Sequence, residues 1–88
     1  MALSFPNASR SYDERLHRVR FWAHDSALEI PFFLDVAVLL QLNPWTPRDE
    51  AGLLHTFDLN RLTIQNAAAR LYSRHQQAHY TLLASDFA

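Results

Sequence analysis

Two stretches of the chain alternate between two faces. From Leu16 to Ala23, Val19, Phe21 and Ala23 point one way and Arg18, Arg20 and Trp22 the other. From Leu28 to Leu34, Leu28, Ile30, Phe32 and Leu34 oppose Glu29, Pro31 and Phe33. A side-chain period of two belongs to a strand with one buried face. Asp25-Ser26 suits a tight turn between the two runs. A two-residue turn there predicts a hairpin with Val19 opposite Phe32, Phe21 opposite Ile30 and Ala23 opposite Leu28. On the other face Trp22 then opposes Glu29, and Arg18 opposes Phe33. A slip of one residue would mix the faces, so pattern and turn support each other.

The pattern then changes period. Asp35 is placed to cap a short helix, Val36 to Leu42, which Asn43-Pro44 stops. A longer helix follows, with Thr46 as its N-cap and Pro47 at the first helical position, where a missing N–H costs nothing. Asp49 and Glu50 lie in its first turn and Arg70 and Arg74 near its end, as the helix dipole favours. Its period carries it to Arg74, roughly 28 residues or about 40 Å, with room for a bend near the middle. At 100° per residue, Leu53, Phe57, Ile64, Ala67, Ala68 and Leu71 form the stripe that should cover the sheet. Asn60 falls within that stripe, where a buried amide must find partners, more often a backbone group than a ligand. Leu59 and Leu62, with His55 and Asn66, line the opposite side. Outside these elements, Leu3 to Pro6 reads as a short edge strand and Asn7 to Glu14 as a polar loop from which Tyr12 folds back on the core. Tyr80 to Ala84 reads as a final strand, with Tyr80, Leu82 and Ala84 on one face. The expected fold is one α+β domain over residues 1–88: a small antiparallel sheet, the hairpin plus the C-terminal strand, packed against one long and one short helix.

Composition narrows the function classes. The chain has 88 residues, 49% of them hydrophobic, which suits one small folded domain. Gly52 is the only glycine. Phosphate-cradling loops need several, so P-loop and dinucleotide-binding readings fail. The formal charge is −1, and all eight basic residues are arginine. Dedicated nucleic-acid binders carry a basic excess, so nucleic acid is an unfavoured partner. The absence of cysteine removes disulfides and thiolate metal sites. Met1 to Asn7 lacks a signal-peptide pattern. Ala27 to Leu42 is too short and too interrupted to cross a bilayer. A cytoplasmic location without membrane contact is the expectation.

The order of segments also resembles a known family. SFPNASRSYD (Ser4 to Asp13), VRFWAHDSALEIPFFLD (Val19 to Asp35), RDEAGLLHTFDLNRLTIQNAAARLYSR (Arg48 to Arg74) and YTLLASDF (Tyr80 to Phe87) resemble the small bacterial proteins grouped as domain of unknown function 1488. The resemblance spans nearly the whole chain. It implies a compact α+β fold and no particular activity or site.

Candidate chemistry is sparse. His75 and His79 have the spacing of two ligands on one helical turn, but the strand pattern begins at Tyr80 and no acid completes a set. The ordinary reading is two solvent histidines at a helix end. His24 with Asp25, or His17 with Glu29, would need a pocket to act as acid–base pairs, and this fold offers little concavity. Ser4, Ser26, Ser73 and Ser85 lack the flanking glycines of a nucleophile elbow. No catalytic, metal or cofactor residues are therefore assigned, and the chain is expected to be non-enzymatic. Arg18, Arg20, Trp22, Phe33 and His24 share the non-core sheet face. Aromatics interleaved with arginines suit a single-stranded nucleic-acid platform, but Glu29 shares the face. The ordinary reading is that arginine stems pack over the rings. The candidate interaction surface is Arg18, Arg20, Trp22 and Phe33 on the sheet and Leu59 and Leu62 on the helix. Its favoured use is self-association or binding of a protein partner, with a nucleic-acid accessory role as the alternative and a small hydrolase or metal-binding protein, for which no residues are nominated, as the least favoured.

Overall fold

The computed structural model describes residues 3–6, 10–74, 77 and 79–87. It has the expected α+β architecture. A five-stranded sheet contains β1 (Leu3–Ser4), β2 (Arg10–Asp13), β3 (Arg18–Asp25), β4 (Leu28–Asp35) and β5 (Tyr80–Leu82). The helices are α1 (Val36–Leu42), α2 (Glu50–Leu59) and α3 (Arg61–Arg74), and a 3-10 turn spans Ala84–Phe87. β3 and β4 form the central hairpin. β1 and β2 pair one after the other along the outer edge of β3. β5 lies beside β4 and runs parallel to it, so the sheet is mixed rather than purely antiparallel. Parallel neighbours require a long crossover, and the three helices supply it.

β2 falls where a polar loop was expected. Its four residues contain one apolar side chain, too little for an alternation signal. Yet Arg10 pairs with Phe21 and Tyr12 with Val19, so both lie on the core face. Tyr12 packs against the core. Arg10 reaches α2, where Nε and Nη2 donate to the two carboxylate oxygens of Asp58 at 3.0 and 2.9 Å. Arg61 joins the same carboxylate at 2.5 Å. Partial burial of Asp58 acts to raise its pKa, but the hydrogen bonds and charges of the two arginines prevail and hold it below the usual carboxylate range.

The hairpin keeps the expected faces but in a different register. The turn is Ser26-Ala27, not Asp25-Ser26, and Phe21 opposes Phe32, Ala23 opposes Ile30 and Val19 opposes Leu34. Ser26 takes φ 55°, the positive value that tight hairpin turns need at their first central residue. A two-residue shift preserves the faces, which is why alternation cannot detect it. Ring packing selects between the two registers. Phe21 stacks on Phe32 at 5.4 Å and Phe32 on Tyr80 at 5.1 Å, a continuous row over three strands. Phe5 extends the row at one end, and Phe57 of α2 meets it at 5.2 Å from Phe21.

The helices begin and end on local hydrogen bonds. Asp35 precedes α1, but its side chain caps nothing. Thr46 is not the N-cap of the next helix. It is buried, and its Oγ1 donates to the Asn43 carbonyl at 2.6 Å, closing the turn after α1. The cap is Asp49, whose carboxylate accepts from the Gly52 amide at 2.8 Å. Gly52 is required there by crowding: a Cβ would lie 2.5 Å from Pro47 Cβ and 2.7 Å from its carbonyl oxygen. The expected long helix is two helices broken at Asn60. That residue's Nδ2 donates back to the Thr56 carbonyl at 2.9 Å, and its own carbonyl receives the Ile64 amide. A short amide that bonds nearby backbone competes with helix continuation. The break turns the buried stripe of α3 toward Tyr72, so Tyr72 is buried while Leu71 is only half-buried. Ala84 leaves the strand for the 3-10 turn, because the Leu83 amide donates to the Asp86 carboxylate rather than to a neighbouring strand.

The core joins one sheet face to Val38, Leu39, Leu53, Phe57, Ile64, Ala67, Ala68 and Tyr72 of the helices. Replacing Phe57 with Ala should therefore lower unfolding free energy by about 3 kcal/mol or more. Removing the cap by Asp49→Ala should lower it by about 1 kcal/mol. Gly52→Ala should also destabilise, although alanine is intrinsically better in helices by about 1 kcal/mol. Urea midpoints rank the three, and a raised midpoint for Gly52→Ala would contradict the close approach of Pro47.

Candidate functional site

The sheet's second face receives no buried side chain from the described helices. Cross-strand partners share a face, so its rows can be read from the pairing. Asp13, Arg18 and Asp35 form one row, and Ser11, Arg20, Phe33 and Thr81 the next. Trp22 with Pro31 forms a third, and Ser4, His24 and Glu29 the last. The side chains of this open face are half-buried or exposed, none fully buried.

The arginines lie over the rings, as the ordinary reading expects. The Arg18 guanidinium is 3.8 Å from the centre of the Phe33 ring. That of Arg20 is 5.0 Å from Trp22 and 6.0 Å from Phe33. A planar cation over an aromatic face is attracted by the ring quadrupole and held in place. The two arginines differ in their charge partners. Arg18 Nε lies 3.8 Å from Asp13 Oδ2, yet it is buried without a hydrogen bond. Arg20 has no carboxylate within ion-pair distance among the described residues. Glu29 is exposed and likewise has no cationic partner among them.

The remaining sequence candidates do not assemble into a site. Leu59 and Leu62 are 67% and 72% exposed on α2 and α3. The helices cover the opposite side of the sheet, so these leucines are separate from the Arg18–Arg20–Trp22–Phe33 surface. His75 lies outside the described residues, and His79 meets Phe33 edge-on at 5.8 Å. No cluster of three potential metal ligands occurs among the described residues. His24 faces Glu29 across the hairpin. Asp25 is used differently: it accepts from the Tyr72 hydroxyl at 2.5 Å, tying α3 to the end of β3. No sequence pattern marks that pair, since its members are far apart in the chain. Trp45, 91% exposed between Pro44 and Pro47, was also missed, because it sits outside both periodic patterns.

The family model described as a protein of unknown function (DUF1488) matches residues 3–83. The chain belongs to the DUF1488 family. A crystal structure of a DUF1488 protein of unknown function from Shewanella loihica PV-4 superposes with a TM-score of 0.81, covering 91% of this chain and 90% of that one at 20% identity. At that identity the likeness is one of fold. No curated protein matches this DUF1488 chain. No helix among the described residues is long and apolar enough to cross a membrane.

The Tyr72–Asp25 bond has a measurable signature. The hydrogen bond to Asp25, then burial, then the Asp25 charge push the Tyr72 hydroxyl up from 10.0 to about 12. A raised folded value means the stabilisation is complete below the unfolded value and lost as pH rises toward the folded one. Stability should therefore fall between pH 10.0 and about 12 through this group. Tyr72→Phe should remove that part of the fall while lowering stability at neutral pH, as read by denaturation at stepped pH.

Proposed function

We propose that this chain is a non-enzymatic protein-interaction module whose working surface is the open sheet face around Arg18, Arg20, Trp22 and Phe33. One observation carries the reading: Trp22 and Phe33 stand on the sheet face that no described helix covers, under guanidinium groups that fix their surroundings. Aromatic and arginine side chains supply most of the energy at protein interfaces. Holding them in place beforehand reduces the entropy lost on binding. The charge pattern supports a protein partner over nucleic acid. Asp13, Asp35 and Glu29 share the face with the two arginines and break any positive stripe. Phosphate backbones call for a basic excess.

A photoactivatable amino acid at Ser11, exposed beside Arg20, is expected to crosslink protein in the native cell. Trp22→Ala in the same chain should remove that adduct, and the probe at Ala51, on the exposed side of α2, should give none. Nucleic-acid adducts at Ser11, no adduct there, or one indifferent to Trp22→Ala would each overturn the reading.

A further inference from the structure

Among the described residues of the open face, Arg20 and Glu29 are charges of opposite sign without an ion-pair partner, and they lie symmetrically about its large aromatic. Arg20 precedes Trp22 by two residues on β3. Glu29 sits on β4 opposite His24, which follows Trp22 by two residues. Both charges therefore lie about 6.6 Å along the strands from the Trp22–Pro31 row, on opposite sides of it, at about 3.3 Å per residue. They differ in lateral position by one strand spacing, about 4.8 Å, well within the reach of an arginine side chain.

We infer that the open face pairs with a second copy of this chain about a two-fold axis through the Trp22–Pro31 row, so that each Arg20 meets Glu29 of the other copy. The inference rests on the reading of that face as an interaction surface. An axis lying in the interface across the strands exchanges the row of Arg20 with the row of Glu29. Trp22 then lies against its own symmetry mate, and the two ion pairs flank it. Such a contact has an aromatic centre and a charged rim, the usual anatomy of protein interfaces. Two-fold pairing of one surface with itself is the commonest route to an oligomer. The same operation sets the row of Asp13, Arg18 and Asp35 over the Ser26-Ala27 turn, which carries no charge, and sets Arg20 over His24 of the other copy with Glu29 one strand spacing beside it. Arg20 is suited to the pairing because Trp22 and Phe33 already hold its guanidinium, leaving its N–H edges free for a carboxylate.

Sedimentation equilibrium of the purified chain at micromolar concentrations tests this. A dimer is expected. Arg20→Glu or Glu29→Arg alone should raise its dissociation constant at least about tenfold, because like charges then face each other. The double variant Arg20→Glu/Glu29→Arg should restore the dimer. Both positions are exposed, and unchanged circular dichroism would show that the fold is retained. A dimer indifferent to the single changes, or not restored by the double one, would overturn the pairing. A purified chain that stays monomeric, while the Ser11 probe captures a different protein, would overturn the second copy as occupant and leave the open-face reading intact. Loss of both the dimer and the Ser11 adduct would overturn both.

Discussion

A row of aromatic rings holds this fold together. Phe5, Phe21, Phe32 and Tyr80 lie side by side across the sheet, with neighbouring centres 6.3, 5.4 and 5.1 Å apart. Rings at such spacings gain from offset or tilted contact beyond the area they bury. Each ring belongs to a different segment of the chain, so the row sets more than local packing. It aligns β3 with β4, brings β5 alongside β4 in parallel, and draws the N-terminal segment over the hairpin. Phe57 from α2 and Tyr72 from α3 press on it from the helical side, at 5.2 Å from Phe21 and 5.6 Å from Tyr80. Sheet register and helix placement are thus settled together.

The same arrangement leaves the other face uncovered by the described helices. The three helices pack on one side of the five-stranded sheet. On the other side Arg20 lies over Trp22 as an exposed side chain, while Arg18 lies over Phe33 with its Nε buried. The device leaves large aromatic area close to the surface and positions cations beside it.

The helical side is fastened by polar contacts between distant segments. Arg10 on β2 and Arg61 on α3 share the Asp58 carboxylate. Arg70 donates to the Asp86 carbonyl at 2.7 Å, joining α3 to the final turn. Tyr72 reaches Asp25 at the end of β3. The exposed ion pairs at Asp58 contribute little individually. The contacts of Arg10, Arg70 and Tyr72 each join segments far apart in the chain.

By itself the sequence determined most of the inward-facing residues of the hairpin and of the helices up to Ala68, although Leu28 is exposed and Tyr72 rather than Leu71 is buried. Alternation in β3 and β4 and the stripe from Leu53 to Ala68 follow from the periods of strand and helix, and each period acts within a few residues. The hairpin faces, the α+β class and the stacking of Arg18 and Arg20 over rings were therefore legible. The tertiary structure alone decided the register, the pairing of Arg10–Asp13 and the division of the long helix. A two-residue slip changes no face, so only rings from three strands could select Phe21 opposite Phe32 over Phe21 opposite Ile30. β2 carries too few apolar residues to announce itself and exists because the edge of β3 offers it hydrogen bonds. Asp49 displaced Thr46 as the cap because Thr46 was taken into the preceding turn. The separation of Leu59 and Leu62 from the sheet's aromatic face is of the same kind. Period places a residue on one side of its own element, but only packing decides which sides of different elements form one surface.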